Sequence, residues 1–295
     1  MTQTMPSGVR LDTGRGGLPR LLVGIDTCTA ELYLHGAHLC RWQPRGQRNP
    51  VLWMSEQSRF EAGAPIRGGV PICFPWFGPK RGDPSAPAHG IARISRWNLE
   101  RAAVEPDGDA IIRLGLACGP ATSPHLRHDY AVAFEIRLGS TLSMALSVTN
   151  PGEAPVTFEE ALHTYLAVGD VRRAAVEGLE GASYVDKVDG GRRKTQGANP
   201  VAIDSETDRL YLDTEAEALL TDPVFGRRIR VAKTGSRSTV VWNPWVAKSK
   251  AMPDFGDDEW PGMICVETAN AADNAVTLPA HTSHVMTAAI SIASG

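Results

Sequence analysis

The chain has 295 residues, with 30 Lys and Arg against 33 Asp and Glu, a formal charge of -3. Apolar residues make up 42% of it, which excludes wholesale disorder, and the near-balanced charge is a poor footprint for a dedicated nucleic-acid binder. Five widely spaced cysteines with no Cys-x-x-Cys pair argue against a disulfide framework or a cysteine-rich zinc site and fit a reducing cytoplasm.

Residues 1–19 are polar and rich in Gly and Thr, and are expected to form a loosely ordered lead-in without the apolar centre of a signal peptide. From residue 20 the pattern shortens and alternates. Ala30, Leu32 and Leu34 interleave with Glu31, Tyr33 and His35, which is strand periodicity. Residues 110–117 read as another strand, as do Val132 to Leu138 and Leu142 to Val148. Asn150-Pro151-Gly152 is a turn, 156–168 is strand-like again, and Asp189-Gly190-Gly191 is a further turn. No stretch of twelve or more residues keeps helical spacing between caps, and strands do not alternate with helices. No run approaches the roughly 18 apolar residues of a membrane span. These signals predict an all-β fold of antiparallel strands, one domain over 20–295.

Nucleotide-binding glycine loops, Gly-x-Ser-x-Gly and His-Glu-x-x-His are all absent from the sequence, so the candidates for chemistry are isolated side chains in unusual settings. On a strand, His163 shares a face with Ala161 and Tyr165, while Leu162 and Leu166 take the other. An imidazole there is either a proton carrier or a hydrogen-bonded core histidine. Glu267 shares a strand face with Met263, Cys265 and Ala269; it is either a base poised toward neutrality by burial or half of a structural ion pair. Around Gly68-Gly69 the backbone can approach a ligand, with Trp76 or Phe77 as a floor, or it simply turns into an apolar strand. His89 and Arg93 flank another glycine turn and suit oxygen ligands, unless that loop is merely solvated. Three His-x-x-His pairs (35/38, 125/128, 281/284) place their rings on opposite strand faces, so metal chelation is not expected. The acidic run Asp254, Asp257, Asp258, Glu259 reads as a solvated loop.

At these segments the sequence resembles the aldose 1-epimerase (mutarotase) superfamily, most closely its hexose-6-phosphate branch. The matching blocks are RGGVPICFPWFGP (67–79), AHGIAR (88–93), EEALHTYLAVGD (159–170), DRLYLD (208–213), VVWNPWVAKSKAMPDFGDDEW (240–260) and MICVETAN (263–270), in the family's order. The resemblance implies a galactose-mutarotase-like β-supersandwich with an open sugar cleft. It implies His163 as general acid and Glu267 as general base, with Arg67, His89, Arg93 and Asp208 at or beside the substrate. Some relatives carry glutamine where this chain has Ala88, which leaves the preferred hexose open. The implied substrate is a hexose 6-phosphate, its phosphate assigned first to Arg67 and Arg93 and secondarily to Arg59 and Arg96. No cofactor, metal, nucleic acid or membrane partner is implied; the sequence sets no oligomeric state, and a monomer is compatible with it. Rival readings are a mutarotase for unphosphorylated aldoses, a non-catalytic carbohydrate-binding β-sandwich, and a two-carboxylate sugar hydrolase.

Overall fold

The computed structural model describes residues 5–294. Two large antiparallel sheets dominate it. One has nine strands, in the spatial order Val201–Ala202, Ala175–Glu177, Ala218–Asp222, Arg227–Thr234, Ser283–Ser294, Leu142–Thr149, Tyr130–Leu138, Ala110–Cys118 and Asn98–Val104. Its central strands alternate strictly: in Tyr130–Leu138 and Leu142–Thr149 every second residue is buried, as a sheet with one dry and one wetter face requires.

The second sheet has eight strands. The path runs Arg192–Thr195, Ser183–Asp186, Thr207–Tyr211, Ser238–Asn243, Met263–Asn270, Glu160–Leu162 and Ile72–Cys73, with Tyr165–Ala167 also pairing with Met263–Asn270. Here alternation disappears. Every residue of Ser238–Asn243 and of Met263–Asn270 is buried, polar ones included. One apolar core joins both sheets, running from Val9 through Phe134, Leu146 and Val266 to Ile290.

A four-stranded meander, Val9–Thr13, Pro19–Gly24, Cys28–Tyr33 and His38–Pro44, completes the frame. Its first strand corrects the expectation of a loose lead-in. Val9–Thr13 pairs in full register with Pro19–Val23, Val9 is buried in the core, and Asp12 pairs with Arg10 and Arg20. Met1–Thr4 lie outside the described residues. The one α-helix among the described residues, Trp245–Ala251, spans two turns. None of the helices is long and apolar enough to cross a membrane.

Candidate active site

Antiparallel register builds the site. Leu162 pairs with Thr268, and Tyr165 pairs with Cys265. The two residues between, His163 and Thr164, fall opposite Glu267 and Val266, and Val266 N–H donates to the Thr164 carbonyl (3.1 Å). Paired residues point to the same face of a sheet. His163 and Glu267, more than a hundred positions apart in sequence, therefore meet directly. His163 Nε2 lies 3.3 Å from Glu267 Oε1. The same register carries a row of side chains across the sheet. Cys265 pairs with Trp242, and Trp242 with Asp208; Lys187 N–H donates to the Asp208 carbonyl (2.9 Å), so Lys187 follows as the next in line.

Around the pair, aromatic rings fix the geometry. His163 stacks on Tyr165 (4.8 Å between centroids, 12° between planes) and meets Trp242 edge-on at 6.0 Å. On its other flank His89 packs at 5.7 Å, and Phe77 packs edge-on against His89 at 4.9 Å. The Gly78 N–H donates to His89 Nδ1 (3.3 Å), which leaves the His89 proton on Nε2. His89 itself sits in the left-handed region (φ 63°), a conformation uncommon outside glycine.

Three cations face this surface. Arg67 makes three hydrogen bonds: it donates from Nε and Nη2 to Asp254 (3.2 and 3.1 Å) and from Nη1 to the Tyr165 hydroxyl (3.0 Å). Arg93 donates to the Ala88 carbonyl (2.8 Å), but its Nε has no partner and no carboxylate neutralises it among the described residues. Lys187 stands over the Phe77 ring (4.2 Å) with its ammonium 3.7 Å from Asp208 Oδ1. Phe77 and Lys187 also line a cavity of about 610 Å³, whose walls include neither His163 nor Glu267.

The electrostatics set the two central groups against their ordinary values. Burial pushes the Glu267 carboxyl well up; the Lys187 and Arg93 charges pull it back, while Asp208 adds to the rise. Burial, then the guanidinium groups of Arg93 and Arg67, hold the His163 imidazole well below its usual value. His89 is held down by the same causes, burial first and Arg93 next. Burial also raises the Asp208 carboxyl, against the opposing charges of Lys187 and Lys248. Glu267 Oε2 and His163 Nδ1 are buried without a protein partner. The side chain of Glu267 is 1% exposed and that of His163 is 9% exposed, so the imidazole is the less buried member of the pair.

All six residues singled out from the sequence (His163, Glu267, Arg67, His89, Arg93 and Asp208) fall in this one region, linked by the contacts above. Several finer expectations change. The acidic run is not simply solvated: Asp254 clamps Arg67, and Glu259 accepts from Ser55 Oγ and from the Glu56 and Gly256 amides, while Asp257 and Asp258 are exposed. Gly68 and Gly69 have positive φ because the chain packs against itself there; a Cβ would meet Trp53 O at 2.5 Å and Leu39 O at 2.2 Å respectively. Phe77, not Trp76, belongs to the site, since the Trp76 indole donates to Pro87 and lies under Lys80. Asp208 sits beside the Lys187 ammonium. Arg59 and Arg96 are exposed. The histidines of one His-x-x-His pair find separate carboxylates, His281 on Glu153 and His284 on Glu160. Lys187 and the clamp of Asp254 on Arg67 escaped sequence reasoning. Only the register, which local sequence does not contain, brings them in.

The aldose 1-epimerase family signature matches residues 20–291. The chain belongs to the aldose 1-epimerase family. It is 36% identical over 244 residues to an Escherichia coli K12 protein that carries the provisional name glucose-6-phosphate 1-epimerase, covering 83% of this chain and 80% of that one. A Cenchrus ciliaris protein with the same provisional name is 32% identical over 271 residues, covering 89% and 81%. Among solved structures, a Salmonella typhimurium protein described as a provisional mutarotase (YeaD) superposes with a TM-score of 0.91 at 30% identity, over 99% of this chain and 96% of that one. The galactose 1-epimerase of Lactobacillus acidophilus superposes at 0.74 with 12% identity, over 99% of this chain and all of that one. The expected galactose-mutarotase-like β-supersandwich is the fold observed.

Proposed function

We propose that this protein interconverts the α and β anomers of a hexose 6-phosphate, glucose 6-phosphate first among them, with Glu267 and His163 as the proton-transferring pair. The observation that carries the reading is the 3.3 Å approach of His163 Nε2 to Glu267 Oε1 on facing strands, beside cations that suit an anionic sugar. Opening a pyranose hemiacetal removes the proton from O1 and adds one to the ring oxygen O5. Both oxygens are bonded to C1, so two groups this close can serve both. Glu267 takes the O1 proton and His163 gives one to O5; the C1–O5 bond breaks and the aldehyde forms. Rotation about C1–C2 presents the other face, and the reverse transfers close the ring. Positioned proton transfer of this kind contributes about 10²–10⁴-fold.

The shifted acidities fit that cycle. Ring opening converts imidazolium and carboxylate into imidazole and carboxylic acid. Burial favours this neutral pair, which accompanies the open-chain intermediate. A phosphate carries about -1.5 to -2 charges at pH 7. Seated by the arginines, it offsets the cationic part of what holds His163 low, second to burial, and so favours the proton needed for the first step. Arg93 is its principal anchor, because its charge has no internal carboxylate; Arg67, already held by Asp254, presents its remaining edge to hydroxyls or phosphate. His89 and Asp208 contact the ring hydroxyls. The five free cysteines suit work in the cytoplasm. The test compares anomer exchange of glucose 6-phosphate with that of glucose by NMR. The proposal expects kcat/KM to favour the phosphate ester by about tenfold or more; equal values would remove the phosphate from the account.

A further inference from the structure

Glu267 and His163 have a third neighbour that the proton transfers leave unused. Cys265 lies two residues before Glu267 on the same strand face, and its Sγ, a Glu267 carboxylate oxygen and a His163 ring nitrogen all lie within 4.8 Å of one another. We propose that this trio is a binding site for a soft or borderline divalent cation of the zinc and cadmium class, and that such an ion blocks the cleft by occupying both proton-transfer groups.

Three donors of the kinds that bind zinc converge here, the number a zinc site with one water ligand takes from its protein. Zinc–nitrogen and zinc–oxygen bonds of about 2.0–2.2 Å place two tetrahedral ligand atoms about 3.3–3.5 Å apart. His163 Nε2 and Glu267 Oε1 already stand 3.3 Å apart. The zinc–sulfur bond is longer, about 2.3 Å, and Cys265 Sγ, within 4.8 Å of both other donors, reaches the ion by rotation of its side chain. The fourth vertex takes water. A second observation points the same way: Glu267 Oε2 and His163 Nδ1 are buried and have no protein partner, so the carboxylate can rotate and the imidazole can shift without breaking a hydrogen bond.

Charge and softness select the ion. Binding expels the thiol proton to solvent and forms a metal–sulfur bond, leaving a thiolate and a carboxylate against one dication, with a neutral imidazole. The assembled centre carries no net charge, which suits a buried place. Magnesium and calcium prefer six or more oxygen ligands and find only one carboxylate here.

The experiment titrates cadmium into the purified full-length protein and follows the ultraviolet thiolate-to-cadmium charge-transfer band. Wild type is expected to show a saturating band. Cys265→Ser is expected to lose it and to weaken zinc inhibition of anomer exchange by more than about tenfold, the scale already seen when an outer-shell partner of a metal ligand is removed. Cys73→Ser serves as the control, because Cys73 Sγ lies 3.4 Å from His89 Nδ1 and offers the alternative thiol; it is expected to keep both the band and the inhibition. A band that survives in Cys265→Ser, or that disappears in Cys73→Ser instead, would overturn the assignment. Should the Cys265 variant fold poorly, cadmium-soaked wild-type crystals decide the matter: anomalous density between the three donor atoms supports the site, and density elsewhere or nowhere rejects it. The band and the crystal need no sugar, so they fail or succeed apart from the proposed function.

Discussion

Two histidine–glutamate pairs with buried carboxylates flank the strand Met263–Asn270, one of them drawing its histidine, His284, from the nine-stranded sheet, and their environments differ in almost every respect. His284 Nε2 sits 2.9 Å from Glu160 Oε1, and the Asn270 amide donates to that same oxygen at 2.8 Å. Glu160 is opposite Asn270 in the register, so this pair is knitted across three strands, with no arginine or lysine in direct contact among the described residues. Its imidazole is held above the usual value, first by the hydrogen bond to Glu160. The His163–Glu267 pair is longer, lacks an amide partner, and faces Arg67, Arg93 and Lys187. Its imidazole is pushed down and its carboxyl up. The same residue types make a clasp where hydrogen bonds favour the charged forms, and the proposed proton relay where burial disfavours them.

Substitution breaks the comparison most sharply. His163→Asn is expected to lower kcat/KM for anomer exchange by about 10²–10⁴-fold with little change in melting temperature. His284→Asn is expected to do the reverse: near-full exchange rate, and a loss of about 1–3 kcal/mol in denaturant unfolding. If the two variants behaved alike, the division between relay and clasp would fail.

Arg93→Ala sharpens the distinction next. Losing one charge-assisted donor set is expected to raise KM for glucose 6-phosphate by about 10–100-fold while leaving exchange of unphosphorylated glucose nearly unchanged, measured by steady-state kinetics on both sugars. A smaller effect concerns pH. Because burial raises the Glu267 carboxyl, the acidic limb of kcat/KM is expected above the ordinary carboxylate range. Lys187→Met removes the largest charge opposing that rise, so the limb is expected to move further up, and Lys187→Arg to move it back. The clasp yields the mildest effect. The folded pKa of His284 is raised, so its stabilisation is complete below about pH 6.5 and disappears as pH climbs through the folded value. The stability gap between wild type and His284→Asn is therefore expected to narrow from pH 6 toward alkaline pH in urea titrations.

Much of this was legible before any coordinates. The alternation in Tyr130–Leu138 and Leu142–Thr149 announced strands because one face is dry and the other partly wet. Period-two reasoning also put His163 beside Tyr165 and Glu267 beside Cys265, as observed. The first strand stayed hidden because five residues with a single buried position, followed by a glycine-rich turn, carry little periodic signal until paired. Ser238–Asn243, buried along its whole length, lacked the alternation that reveals a half-wet strand. Lys187 and Asp254 were invisible for a different reason. Their roles come from register and long-range contact: Lys187 meets Asp208 across neighbouring strands, and Asp254 meets Arg67 across 187 positions.

The central claim is that the Glu267 carboxylate transfers the proton while its counterpart Glu160 only holds strands together. Exchange NMR between the α and β anomers of glucose 6-phosphate, run side by side on wild type, Glu267→Gln and Glu160→Gln, tests it most directly. The account expects catalysed exchange with wild type and Glu160→Gln and only the uncatalysed rate with folded Glu267→Gln. Rapid exchange by folded Glu267→Gln would contradict it.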